Sequence, residues 1–109
     1  MTGAHTYILQ CSDGSFYTGV TRREPNERES EHNQGLDPTA WTFMRRPVKL
    51  VWSEYFDRVD EAIATERRIK GWSRAKKLAL IRGDWGRISV LARKKGGAST
   101  SSARTDMAD

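Results

Sequence analysis

A chain of 109 residues, 37% hydrophobic and 30% charged, has room for one small domain with a compact core, and no stretch of it approaches the apolar length of a membrane helix. Its single cysteine, Cys11, excludes an intrachain disulfide and fits a strand as a small core residue. The net charge of +5 is concentrated in residues 65–82, where Arg67, Arg68, Lys70, Arg74, Lys76, Lys77 and Arg82 face the single acid Glu66, a pattern that suits a nucleic-acid partner before a membrane and also suits a solvated helix surface.

The opening MTGAHT lacks the basic and apolar regions of a secretory signal, so the expected location is the cytoplasm. Residues 5–11 and 15–20 are predicted strands joined through Asp13 and Gly14, a strong hairpin signal. A two-residue loop would place Tyr7 and Tyr17 on opposite faces. A three-residue loop, Ser12-Asp13-Gly14 with Gly14 left-handed, pairs Cys11 with Ser15 and lines one face with Tyr7, Leu9, Tyr17 and Gly19. We predict this second register, in which the ring of Tyr7 lies across a residue with no side chain.

Residues 25–33 form a predicted short helix, opened by Pro25 and stopped by Gly35. It has no apolar stripe, so the face it turns inward must be polar, and Arg28 and His32, four apart, share a face. Residues 34–46 are a predicted loop in which Trp41, Phe43 and Met44 pack down while Arg45 and Arg46 add to the positive surface. Residues 47–56 are a third predicted strand, with Val48, Leu50 and Trp52 on one face and Val51 and Tyr55 on the other. The four tryptophans are expected to supply a good share of the core.

A second helix is predicted over 58–70, capped by Asp57 and stopped by Gly71, and a third over 74–82, capped by Ser73 and stopped by Gly83. Ala62, Ile63, Glu66 and Ile69 follow the spacing of a core-facing stripe. Glu66 is the polar member of that stripe, and an inward carboxylate requires a cation or a metal. A salt bridge to an arginine meets that need; so does a hard ion such as Mg²⁺ or Mn²⁺, whereas no His/Cys cluster suggests zinc. The element order β-β-α-β-α-α, with its hairpin, predicts an α+β fold with an antiparallel sheet. The expected domain covers 1–92, and residues 93–109, rich in Gly, Ser, Ala and Thr, are expected to be a disordered tail.

Tyr7 within TYIL, Tyr17 to Gly19 in YTG, Arg28 and His32 in ERESEHN, and Glu66 in EAIATERRIKGWSRAKKLALI together resemble the GIY-YIG nuclease superfamily over about residues 5–81. The likeness is to its small single-domain bacterial members, whose domain is similar to the nuclease domain at the start of the excision-repair incision subunit. The resemblance implies a three-stranded antiparallel sheet flanked by helices and phosphodiester hydrolysis with one divalent metal, Mg²⁺ or Mn²⁺. It also implies roles: Tyr7 and Tyr17 as the motif tyrosines, Gly19 as the motif glycine, Arg28 as the helix arginine, His32 as the residue one turn later, and Glu66 as the metal ligand. On that scheme Arg28 neutralises charge growing on the phosphate and a phenolate takes the water's proton. Tyr17 is favoured as the base with Tyr7 or His32 orienting the water, and the two tyrosines can exchange roles. Arg22, Arg23, Arg45, Arg46, Arg67, Arg68, Lys70, Arg74, Lys76 and Lys77 are the expected phosphate contacts. The implied partner is nucleic acid, DNA rather than RNA, in repair or recombination, with a protein partner for targeting and no membrane. The alternative is a nucleic-acid-binding or adaptor module without chemistry, using the basic 65–82 surface and indifferent to Mg²⁺ and Glu66.

Overall fold

In the computed structural model, which describes residues 3–88, the chain enters as β1 (Ala4–Gln10), reverses, and returns as β2 (Phe16–Thr21). The reversal is the three-residue one. Cys11 N donates to Ser15 O at 2.8 Å, Gly14 N donates to Cys11 O at 2.9 Å, and Gly14 takes a φ of 87°, a conformation that disfavours any side chain. Asp13 accepts from the backbone and hydroxyl of Ser15 and locks the turn. The resulting register sets Tyr7 opposite Gly19 and Leu9 opposite Tyr17, as the sequence predicts.

The third strand, β3 (Lys49–Phe56), pairs antiparallel with the other side of β1, which gives the sheet order β2-β1-β3. Its alternation is interrupted. Leu9 faces Leu50 while Ile8 faces Trp52, so Val51 is the extra residue of a bulge. The predicted sharing of one face by Val48, Leu50 and Trp52 therefore fails: the bulge keeps Val48 and Leu50 with Tyr7, Leu9 and Cys11 and turns Trp52 to the side of Ile8.

The helix α1 (Pro25–Gln34) begins at Pro25 and ends at a left-handed Gly35. Its polarity has a structural explanation, because it docks by hydrogen bonds to the open edge of the sheet. Asn33 Oδ1 accepts from Val48 N at 2.7 Å and its Nδ2 donates to Val48 O at 2.9 Å, while Glu29 Oε2 accepts from Leu50 N at 2.7 Å. Side chains thus fill the pairing positions of a fourth strand, which satisfies the backbone groups of an edge and blocks further strand addition.

The loop after α1 carries a single 3-10 turn over Phe43–Arg45. Trp41 and Phe43 pack down as expected, but Met44 points outward at 84% exposure. Nor do the tryptophans build the core: three are half-buried and Trp85 is exposed, while Tyr7, Ile8, Leu9 and Phe16 are the large buried side chains of the sheet.

The helix α2 (Val59–Lys70) takes its first intrahelical bond at the Arg58 carbonyl, so its cap lies one residue beyond the predicted Asp57. Thr6 Oγ1, on the sheet face opposite Tyr7, donates to Ala62 O at 2.8 Å and ties the start of this helix to that face. Of the predicted apolar stripe, Ala62 and Ile69 are buried, whereas Ile63 is exposed. The chain divides into two compact units at Glu66. In the second, α3 (Arg74–Arg82) is capped by the Ser73 hydroxyl, which accepts from Lys76 N, and is closed by a left-handed Gly83. The expected tail, 93–109, lies outside the described residues.

Candidate active site

Tyr7 is carried by the central strand, where its ring is 1% exposed and its oxygen lies against the backbone of β2. A Cβ at Gly19 would stand 2.6 Å from Tyr7 Oη and 3.1 Å from Tyr17 Cε2, so only glycine leaves room for both rings at this height. The two phenol rings lie on one face with centroids 6.4 Å apart. Tyr17 in turn contacts the His32 ring at 5.2 Å and stacks on Trp41 at 6.2 Å with 24° between the planes.

The helix α1 supplies the charged half of the site. The Arg28 guanidinium reaches the Tyr7 hydroxyl. Burial pushes the Tyr7 phenol above its ordinary value, and the neighbouring Arg28 pulls against that shift without cancelling it. Tyr7 is therefore a neutral phenol near pH 7. His32 Nδ1 shares a hydrogen bond of 2.6 Å with the Oγ1 of buried Thr42, and its Nε2 is buried with no hydrogen-bond partner among the described residues. Burial first, and then the positive charge of Arg28, lower the pKa of this imidazole. A neutral ring with one unspent nitrogen beside a phenol and a guanidinium is equipped to hold or move a proton.

Beside Arg28 and His32 opens a cavity of about 240 Å³, walled on its far side by Leu36, Ala40 and Phe43. Glu31 shares the wall with Arg28 and pairs with it at 2.6 Å. Nothing in the sequence reading singled out Glu31, although its spacing of three from Arg28 carries the signal. Trp41 and Thr42 come from an aperiodic loop, and no sequence pattern marks them as the supports of Tyr17 and His32.

Contacts thus run from Arg28 to Tyr7, from Tyr7 to Tyr17 and from Tyr17 to His32, with Gly19 under the two phenols. Glu66 is placed by α2 alone: it is half-buried, one turn beyond Ala62 on the same side of the helix, and engaged in a contact of its own. Among the described residues no three His, Cys, Asp or Glu side chains gather into a metal-binding group. A single half-buried carboxylate such as Glu66 suits a hard ion that keeps most of its waters.

The expected phosphate contacts separate into three groups. Arg22, Arg23, Arg67, Arg68, Lys70 and Arg74 are exposed. Lys76 and Lys77 are instead buried, Lys76 with its Nζ 4.2 Å from the centre of the Trp72 ring, so the basic segment exposes fewer cations than its composition suggests. Arg45 lies 3.9 Å over the Trp41 ring and donates to Trp41 O, and Arg46 lies 4.2 Å over Phe43 and donates to Phe43 O. These two guanidinium groups hold the loop against the site. No helix of the described residues is long and apolar enough to cross a membrane.

A family model for the GIY-YIG catalytic domain matches residues 3–79. Proteins called UPF0213 protein in Staphylococcus aureus strains Mu3 and N315 are each 43% identical over 82 residues, a span of 75% of this chain and 98% of theirs. The solution NMR structure of a UPF0213 protein from Bacillus halodurans is 32% identical, superposes with a TM-score of 0.50, and covers 91% of this chain and 100% of its own.

Proposed function

The chain belongs to the GIY-YIG family, and from that premise we propose that it is a metal-dependent endonuclease that hydrolyses phosphodiester bonds in DNA. It selects its substrate by structure more than by sequence, and it serves repair or recombination in the cytoplasm. The observation that carries this reading is the pair of phenols over one glycine, with a guanidinium at Tyr7 and a neutral imidazole at Tyr17.

Hydrolysis requires charge to be neutralised on the phosphate and a proton to leave the attacking water. Arg28 meets the first need, its fork held in place by the Tyr7 oxygen. Tyr7 is the positioning group because burial keeps its proton on. Tyr17 is the proton acceptor, and His32, in contact with its ring, is the neutral neighbour that orients the water. When bound at Glu66, a divalent ion supplies Lewis-acid withdrawal of charge from the phosphate. The exposed arginines and lysines add affinity without reading bases.

Labelled branched, single-stranded and duplex DNA incubated with the protein in Mg²⁺, Mn²⁺ and EDTA tests the reading. Cleavage of at least one of these in Mg²⁺ or Mn²⁺, abolished by EDTA and by Glu66→Ala in a folded variant, is expected. Salt-sensitive binding with no cleavage under any condition would leave the adaptor module instead.

A further inference from the structure

A network of ion pairs lies at the edge of this site. Arg23, in the turn between β2 and α1, donates from Nη1 to Glu31 Oε2 at 2.8 Å and from Nη2 to Glu31 Oε1 at 2.9 Å. The same Oε1 accepts from Arg28 Nη1 at 2.6 Å. One carboxylate therefore fills the Arg23 fork and takes a single bond from Arg28, whose guanidinium also reaches the Tyr7 hydroxyl. The Arg23 backbone is fixed by its N–H bond to Thr21 Oγ1 at 3.0 Å, so the turn aims this side chain along α1. Bidentate arginine geometry accepts a carboxylate and a phosphate alike, because both present paired oxygens in a plane.

We infer that Arg23 and Arg28 form a two-guanidinium seat for a single nucleic-acid phosphate, and that in the free protein Glu31 fills it as an internal stand-in for that anion. The inference rests on the nucleic-acid reading above. Binding is then an exchange: a phosphodiester oxygen pair replaces the Glu31 carboxylate, one negative charge for another, so the seat keeps the same net charge before and after. Glu31 lowers affinity and prevents Arg28 from holding stray anions. Arg23 is half-exposed, and Arg28 and Glu31 keep 31% and 28% of their side-chain surface in solvent, so the network is open to an incoming anion.

The test measures binding of a fluorescent single-stranded oligonucleotide in EDTA, where no cleavage occurs, for wild type, Glu31→Gln, Glu31→Asp and Arg23→Gln, across a salt series. Inorganic phosphate is titrated as competitor to separate a general oxyanion seat from one that needs the nucleic-acid chain. Glu31→Gln is expected to tighten binding about two- to fivefold, the size of one partly exposed ion pair, and to steepen the salt dependence by roughly one unit. Glu31→Asp, one methylene too short to bridge both forks, shifts in the same direction. Arg23→Gln weakens binding, and Glu31→Gln in that background tightens it less. Unchanged or weaker binding by both Glu31 variants, with thermal midpoints equal to wild type, overturns the inference and makes Glu31 a brace for Arg28. The outcome is independent of catalysis: tighter binding by Glu31→Gln in a protein that never cuts leaves the seat standing while the nuclease reading falls.

Discussion

At Gly19 a hydrogen atom is all that the two phenols leave room for. Gly19→Ala would press a methyl group onto the Tyr7 oxygen and the Tyr17 ring, costing about 1–3 kcal/mol by overpacking and displacing both phenols of the proposed site. Urea denaturation and a cleavage assay on the same preparation check both losses together. His32 gives a prediction of different kind. Its pKa is lowered from the ordinary 6.5, so below that value the unfolded chain takes up a proton that the folded ring resists. Its contribution to stability is fully present above about pH 6.5 and declines as the pH falls below it. Denaturation midpoints from about pH 7.5 down to about pH 5.5 should fall for wild type, with a shallower fall in His32→Gln. An equal slope in both proteins would place the titrating group elsewhere.

The elements were legible where local chemistry decides them. Asp13-Gly14 marks the turn, and a loop of three residues in place of two decides which side chains share a face. Pro25, Gly35, Ser73 and Gly83 marked helix ends that the structure keeps. What failed was set by partners far along the chain. The bulge at Val51 answers to the pairing of β3 with β1, and no alternation within β3 reveals it. The polar helix posed a question that only the sheet edge answers, since Asn33 and Glu29 bond to strand backbone at Val48 and Leu50. Asn33→Ala would leave both backbone groups of Val48 without these partners, a loss of about 1–3 kcal/mol. Hydrogen exchange should accelerate at the Val48 amide more than at the β1 amides, and uniform acceleration would instead indicate global loosening.

For the molecule as a whole, the charge total misled more than the motif did. The sequence packs seven cations into residues 65–82, yet the structure turns Lys76 and Lys77 inward. A count of basic residues cannot tell a helix's outer face from its inner one when the apolar pattern is weak. The site was more legible than the surface because Tyr7, Tyr17, Arg28 and His32 are tied to rigid elements at spacings the sequence displays. Their supports, Trp41, Thr42 and Glu31, were not legible, coming from a loop and from the charged side of a helix. The family match spans residues 3–79, and so includes both the strands that carry the phenols and the helix that carries Glu66.

On the nuclease reading the Tyr17 hydroxyl, and not merely its ring, serves the reaction. Tyr17→Phe keeps the stacking on Trp41 and the contact with His32 while removing one oxygen. Single-turnover cleavage of a DNA substrate in Mg²⁺, measured beside the dissociation constant of the same DNA in EDTA, isolates that oxygen. The variant is expected to bind within about twofold of wild type and to cut at least about 100-fold more slowly, the loss typical of a missing general base. Cleavage at the wild-type rate by a folded Tyr17→Phe protein would contradict the account.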